Sequence, residues 1–279
     1  LKKLVLVVSL LFLSIAGRVA IAETLKVAVA ANFKPTLEDL AEKFEQETGH
    51  KLLISAASTG ILFNQLVNGA PFDIFLSADR QRPGMLKEKG MILPGSQHTY
   101  AMGELVLWSP GESTTLVELR DNKARLAIAN PAIAPYGLAA QQLLENLGIW
   151  SYVESRLVKG ASIQQTWQFV VSGNVPVGLV AKAQMVDGDQ YTVMPYEYYD
   201  PIQQDMVILK RTQHPDAAKQ FVEFILSESA QSLIESHGYF SVVKKDKDGS
   251  LIEKALIDKA PIDRARIDRA RIESTLIKD

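Results

Sequence analysis

The sequence predicts an α/β protein of two domains, the first interrupted by the second and joined to it by two crossing strands. Three observations carry that expectation. Short apolar runs alternate with amphipathic helical stretches, the grammar of parallel strands covered by helices. The alternation occurs twice, on either side of a strand-like stretch at residues 103–109 that leads out of the first layer. The length of 279 residues also suits two cores rather than one.

Residues 25–31 are an apolar run suited to a buried strand. Pro35 fits the first turn of a helix, and Leu37, Leu40, Ala41 and Phe44 follow at i, i+3, i+4 and i+7, with Gly49 closing it. A strand at 51–55 then runs through Ser58-Thr59-Gly60 into a helix at 61–68, ended by Asn68-Gly69. A third strand at 73–77 and a helix at 83–89, stopped by Gly90, complete the first set. The second set has strands at 125–129, ending near 158–159, and at 175–180, with helices at 137–147 and 162–171. Residues 198–209 read as a long return strand and 214–237 as one helix before Gly238. The expected domains are therefore 23–103 with 200–243, and 104–199, with a hinge at the crossings and a ligand groove between them.

Both ends of the chain read differently. Lys2 and Lys3 precede an apolar run of about 13 residues, too short to span a bilayer, and Ala20-Ile21-Ala22 makes a small-residue exit. That is a secretory signal peptide over 1–22, with the mature chain starting at Glu23 and exported. Its removal takes away Lys2, Lys3 and Arg18, leaving 27 basic residues against 32 acidic ones. A mildly acidic body without a basic, aromatic-rich stripe excludes nucleic acid as a partner. From residue 244 the chain becomes a low-complexity tail. Its isoleucines at 257, 262 and 267 recur every five residues, roughly 140° apart on a helix, so no apolar face forms. There is no cysteine, and His50, His98, His214 and His237 have no ligand spacing, so no protein-held metal is expected.

Four junctions fall at the carboxyl ends of predicted strands, where open α/β sheets bind ligands: Ala31-Asn32, Ser58-Thr59, Tyr136-Gly137 and Ser162-Ile163. Small and hydroxyl residues there leave first-turn N–H groups bare at the positive end of a helix dipole, a ready anion site. The plainer use of such residues is as simple helix caps. No Lys or Arg lies in any of the four. Closing two junctions from each half around one ligand would make a neutral pocket of donors, suited to a fully ionised oxyanion.

These residues resemble the periplasmic molybdate-binding proteins of ABC importers. The resemblance runs from about Leu25 to Tyr239. It rests on Val-Ala-Val-Ala-Ala-Asn-Phe (27–33), Ser-Thr-Gly (58–60), Asn-Gly-Ala-Pro-Phe-Asp-Ile-Phe-Leu-Ser-Ala-Asp (68–79) and Asn-Pro-Ala-Ile-Ala-Pro-Tyr-Gly (130–137). It implies the type II venus-flytrap fold of periplasmic binding proteins, with mixed sheets, and a monomer that binds molybdate or tungstate without catalysis. It also implies no cofactor, and delivery of the ion to an inner-membrane permease with its ATPase. By position, Asn32 makes the first-domain contact with Ala31 supplying backbone, Thr59 donates its hydroxyl beside Ser58, and Tyr136 and Ile163 offer main-chain N–H groups. Where many relatives carry a tyrosine donor this chain has Ala181, which leaves the Asn32 side-chain amide to make up the contact. Sulfate, phosphate or another small anion would suit the same fold. A hydrolase using Ser58 or Thr59 would need a base that no junction supplies, and a receptor-docking sensor domain is the remaining alternative.

Overall fold

Two five-stranded mixed sheets of the same design organise the chain, which a computed structural model describes over residues 22–111, 115–121, 123–245 and 251–253. In the first, β1 (Thr24–Ala30) leads to α1 (Lys34–Thr48), β2 (Lys51–Ala57), α2 (Thr59–Val67), β3 (Ile74–Leu76) and α3 (Gln81–Glu88). β1 is central and pairs in parallel with β2 and β3. Its residues from Val27 to Ala30 are fully covered because helices pack on both faces, which is why the run reads as continuously apolar.

The chain then crosses between the sheets. β4 (His98–Gly103) is an edge strand of the first sheet, and β5 (Leu105–Trp108) belongs to the second, with Glu104 alone between them. The strand expected at 103–109 is β5, and Gly103 ends β4 of the other sheet. After α4 (Leu116–Asp121), the second layer repeats the first: β6 (Leu126–Ala129), α5 (Pro135–Asn146), α6 (Trp150–Val153), β7 (Leu157–Gly160), α7 (Ile163–Val171) and β8 (Val177–Ala181). Here β6 is central and parallel to β7 and β8, while β5 runs antiparallel between β8 and the short β9 (Tyr191–Val193).

The return crossing passes Tyr199–Pro201 into β10 (Ile202–Ile208), which lies antiparallel between β3 and β4. The strand orders are β2-β1-β3-β10-β4 and β7-β6-β8-β5-β9. Glu104 clasps the crossings from the second lobe. Its carboxylate accepts the Tyr196 hydroxyl and faces Lys182 Nζ at 2.6 Å, and its carbonyl accepts the Lys182 N–H at 2.9 Å.

α8 (Pro215–Ile225) and α9 (Glu228–Ser236) cover the first sheet, with Phe44 edge-on to Phe221 at 5.3 Å in the shared core. The sequence pattern predicts one helix here. It breaks because Ser227 turns extended and caps α9, its Oγ accepting the Ala230 N–H at 3.3 Å. The tail expected from residue 244 opens with β11 (Val243–Lys245) paired antiparallel to β12 (Leu251–Glu253). The isoleucine repeats and the leader before Ala22 lie outside the described residues. Among those described, no helix is long and apolar enough to cross a membrane.

Candidate functional site

The helix starts after β1, β2, β6 and β7 face one small cavity between the lobes. All six residues expected at the site line it together: Ala31, Asn32, Ser58, Thr59, Tyr136 and Ile163. Ala30, Ala78, Ala134 and Pro135 complete the wall. No charged side chain is among them.

At α2, Ser58 is the N-cap by position, yet its hydroxyl caps nothing. Its Oγ is buried without a hydrogen-bond partner, so the plain-cap alternative does not hold for this serine. Thr59 is 1% exposed, and its Oγ1 accepts the Ala78 N–H at 3.0 Å. That bond occupies an acceptor site and leaves the hydroxyl proton free to donate. Ala78 therefore orients the threonine. It carries no polar group, and its one sequence signal is its place in the Ser-Ala-Asp string after β3.

The second lobe supplies backbone donors. Ala134 enters α5 extended and Pro135 has no N–H, so the Tyr136 N–H is the first donor of that helix. At α7 the Ser162 hydroxyl is a true cap, accepting the Gln165 N–H at 3.2 Å, and the Ile163 N–H remains without an intrahelical acceptor. The positive ends of these helix dipoles face one cavity, with no side-chain cation among its lining residues.

Two expected donors are placed differently. The Asn32 side chain turns away from the cavity, giving one amide proton to Gln204 Oε1 at 2.8 Å and the other to the Tyr239 hydroxyl at 3.1 Å. Its amide therefore does not make up for the tyrosine absent at Ala181, which leaves the backbone N–H as the donor Asn32 could offer the cavity. The Ala31 N–H is held by the Ala57 carbonyl at 3.0 Å, so Ala31 lines the cavity without a free N–H to give. Ala181 is fully buried, its N–H bound to Gln184 Oε1 at 3.0 Å, and it does not line the cavity. The Tyr136 ring covers the site while its hydroxyl points toward Gly103, away from the ligand space. Burial holds that phenol far above its ordinary pKa, followed by the neighbouring Tyr239 and Tyr100, so it is neutral at physiological pH.

The lobes touch beside the cavity. The Gly60 N–H donates to the Ile133 carbonyl at 2.8 Å, and Arg82, paired with Asp79, reaches the Ala132 carbonyl at 3.4 Å. Asp73 instead ties strands together, accepting the Lys26 N–H and the Thr212 hydroxyl, each at 2.7 Å.

An orphaned buried hydroxyl costs stability until a ligand pairs it. Ser58→Ala should therefore raise the stability of the free protein by about 1 kcal/mol while weakening anion binding by a similar amount. Thermal unfolding with and without the anion checks both signs. No shift in either would take Ser58 out of the site.

The chain matches the family model described as bacterial extracellular solute-binding protein over residues 25–240. It is 42% identical over 227 residues to the molybdate-binding protein ModA of Azotobacter vinelandii, covering 78% of this chain and 90% of the relative. It is 39% identical over 217 residues to ModA of Rhodobacter capsulatus, covering 76% and 86%. Among solved structures, the periplasmic molybdate-binding protein of Azotobacter vinelandii superposes with a TM-score of 0.74 at 41% identity, covering 77% of this chain and 98% of that one.

Proposed function

The chain belongs to the bacterial extracellular solute-binding proteins, and from that premise we propose that it binds molybdate or tungstate between its lobes and delivers the ion to an ABC importer. The observation that carries this is the convergence of neutral donors: the Ser58 and Thr59 hydroxyls with the N–H groups of Asn32, Thr59, Tyr136 and Ile163, around a cavity with no charged side chain. Such a pocket satisfies a dianion by charge-assisted hydrogen bonds alone. It holds no carboxylate to receive a proton, so an ion carrying an O–H is disfavoured at neutral pH. The metal arrives as cargo within the oxyanion, and no cofactor takes part.

The leader over 1–22 is removed on export, and the mature chain works as a periplasmic monomer beside a permease and its ATPase. Catalysis by Ser58 or Thr59 is disfavoured by their surroundings. Among the described residues, the Ser58 hydroxyl has no partner, the Thr59 hydroxyl accepts a backbone N–H, and neither is hydrogen-bonded to a base.

Calorimetry of the chain from Glu23 onward against molybdate, tungstate, sulfate and phosphate tests the proposal. Tight binding of the first two with the others silent is the expected result. Sulfate or phosphate binding in their place would keep the pocket chemistry and overturn the cargo.

A further inference from the structure

Gln204 lies on β10, the strand that returns from the second lobe to the first, and is fully buried. The strand pairing shifts between Gln204 and Asp205, and such a bulge re-aims a side chain. The Gln204 Oε1 accepts the Asn32 amide at 2.8 Å and lies 3.2 Å from the Tyr100 hydroxyl. Amide orientations in this network fix one another. The Tyr239 hydroxyl donates to the Asn32 carbonyl at 2.9 Å, so it must accept from Asn32 Nδ2, which sends the other Nδ2 proton to Gln204 Oε1. The Gln204 Nε2 is thereby turned toward the second lobe, where it has no partner.

A second buried group without a partner faces it. The Tyr136 hydroxyl, from the helix whose N–H serves the anion cavity, also makes no hydrogen bond. Both lie against Gly103: a Cβ built there would stand 2.1 Å from the Tyr136 hydroxyl and 3.2 Å from Gln204 Nε2. The two groups are thus within about two hydrogen-bond lengths of each other, across a space that only a glycine leaves open. Two polar groups buried together without partners are costly apart and relieved if joined.

We propose that Gln204 is a positioning residue that couples lobe closure to the anion site: its Oε1 fixes Asn32 of the first lobe, and its Nε2 meets the Tyr136 hydroxyl of the second across one water when the lobes are closed. This rests on the anion-binding function proposed above. The coupling places one side chain between both halves of the donor set. When the second lobe swings away, Tyr136 leaves Gln204, and the anchor on the Asn32 loop loses its far end. Gln204 itself never touches the ligand.

The test is a double-mutant cycle of Tyr136→Phe and Gln204→Met, read in two ways. Since the chain has no cysteine, Lys89→Cys and Asp187→Cys place one fluorophore in each lobe without competing thiols. Energy transfer between them reports closure of the free protein, whatever the ligand proves to be. Each single variant should shift the free protein toward the open form and raise the molybdate dissociation rate about five- to tenfold, and the double variant should do no more than either single one. Multiplying effects in the double variant, or Tyr136→Phe leaving both closure and dissociation unchanged, would overturn the proposal. A purely structural role for Gln204 would lower the unfolding temperature and leave the cycle additive. If Gln204→Met does not fold, Tyr136→Phe compared with Gly103→Ala, whose new methyl meets the Tyr136 hydroxyl, decides on the same closure signal. Failure of the parent protein to bind any oxyanion, with the closure cycle intact, would overturn the function proposed above and not this coupling.

Discussion

Gly60→Ala should hold the lobes apart and weaken the protein's hold on the oxyanion, while the helix that carries the new methyl is itself stabilised. Gly60 sits in the first turn of α2, where alanine is the better helix former by up to about 1 kcal/mol. In the closed protein, however, the added Cβ would lie 2.9 Å from both the Cα and the carbonyl oxygen of Ile133 in the other lobe, and 3.2 Å from Arg82 Nη2. The Ile133 contacts are backbone atoms and cannot turn aside. The lobes must stay apart by a few tenths of an ångström, which also stretches the 2.8 Å bond from the Gly60 N–H to the Ile133 carbonyl. Overpacking of this kind costs about 1–3 kcal/mol, or roughly five- to 150-fold in affinity. Calorimetry paired with energy transfer between the labelled lobes reads both effects. Unchanged affinity would mean that the lobes close along a different contact.

Thr59→Val is expected to have the largest effect among side chains that meet the ligand. Valine keeps the shape and removes the hydroxyl, which does two jobs. Its proton is available to a dianion, and a hydrogen bond to a charged acceptor contributes about 1.5–3 kcal/mol. Its lone pair takes the buried Ala78 N–H, which would then be left unpaired at a cost of about 1–3 kcal/mol to the free protein. Affinity should therefore fall roughly ten- to 150-fold, the unfolding temperature should also fall, and Thr59→Ser should restore both. A lower unfolding temperature with unaltered affinity would assign the hydroxyl to structure alone.

Much of this architecture was legible because its signals are local. Strand β6 is apolar throughout and β1 is so from Val27 onward, and the small and hydroxyl residues after four strands mark helix starts that face one cavity. What escaped was set by distant partners. Asn32 at a strand end looks like a ligand side chain. Its amide is instead claimed by Gln204, 172 positions away, and by Tyr239, 207 away, and no local pattern records such pairings. Ala78 acts through its N–H, which every residue but proline possesses. The polar start of β4 and the three-residue β9 are strands only because β10 and β5 lie beside them. The break between α8 and α9 did carry a local sign, a serine at position 227, but the apolar spacing continues across it.

The shared strand order of the two sheets bears on which anions the pocket can suit. In each lobe a central strand is flanked by two parallel neighbours, and the cavity meets the carboxyl ends of both sets. Two like halves thus present the same sheet edge to a common cavity. Each half brings two helix starts. A tetrahedral ion has twofold axes of its own and divides into two pairs of oxygens lying in perpendicular planes, so each lobe can take one pair. A planar ion such as nitrate has three oxygens in one plane and cannot be divided this way, and a carboxylate has only two. The geometry of the cargo is thus matched by the duplication of the lobe, before any single side chain refines the choice.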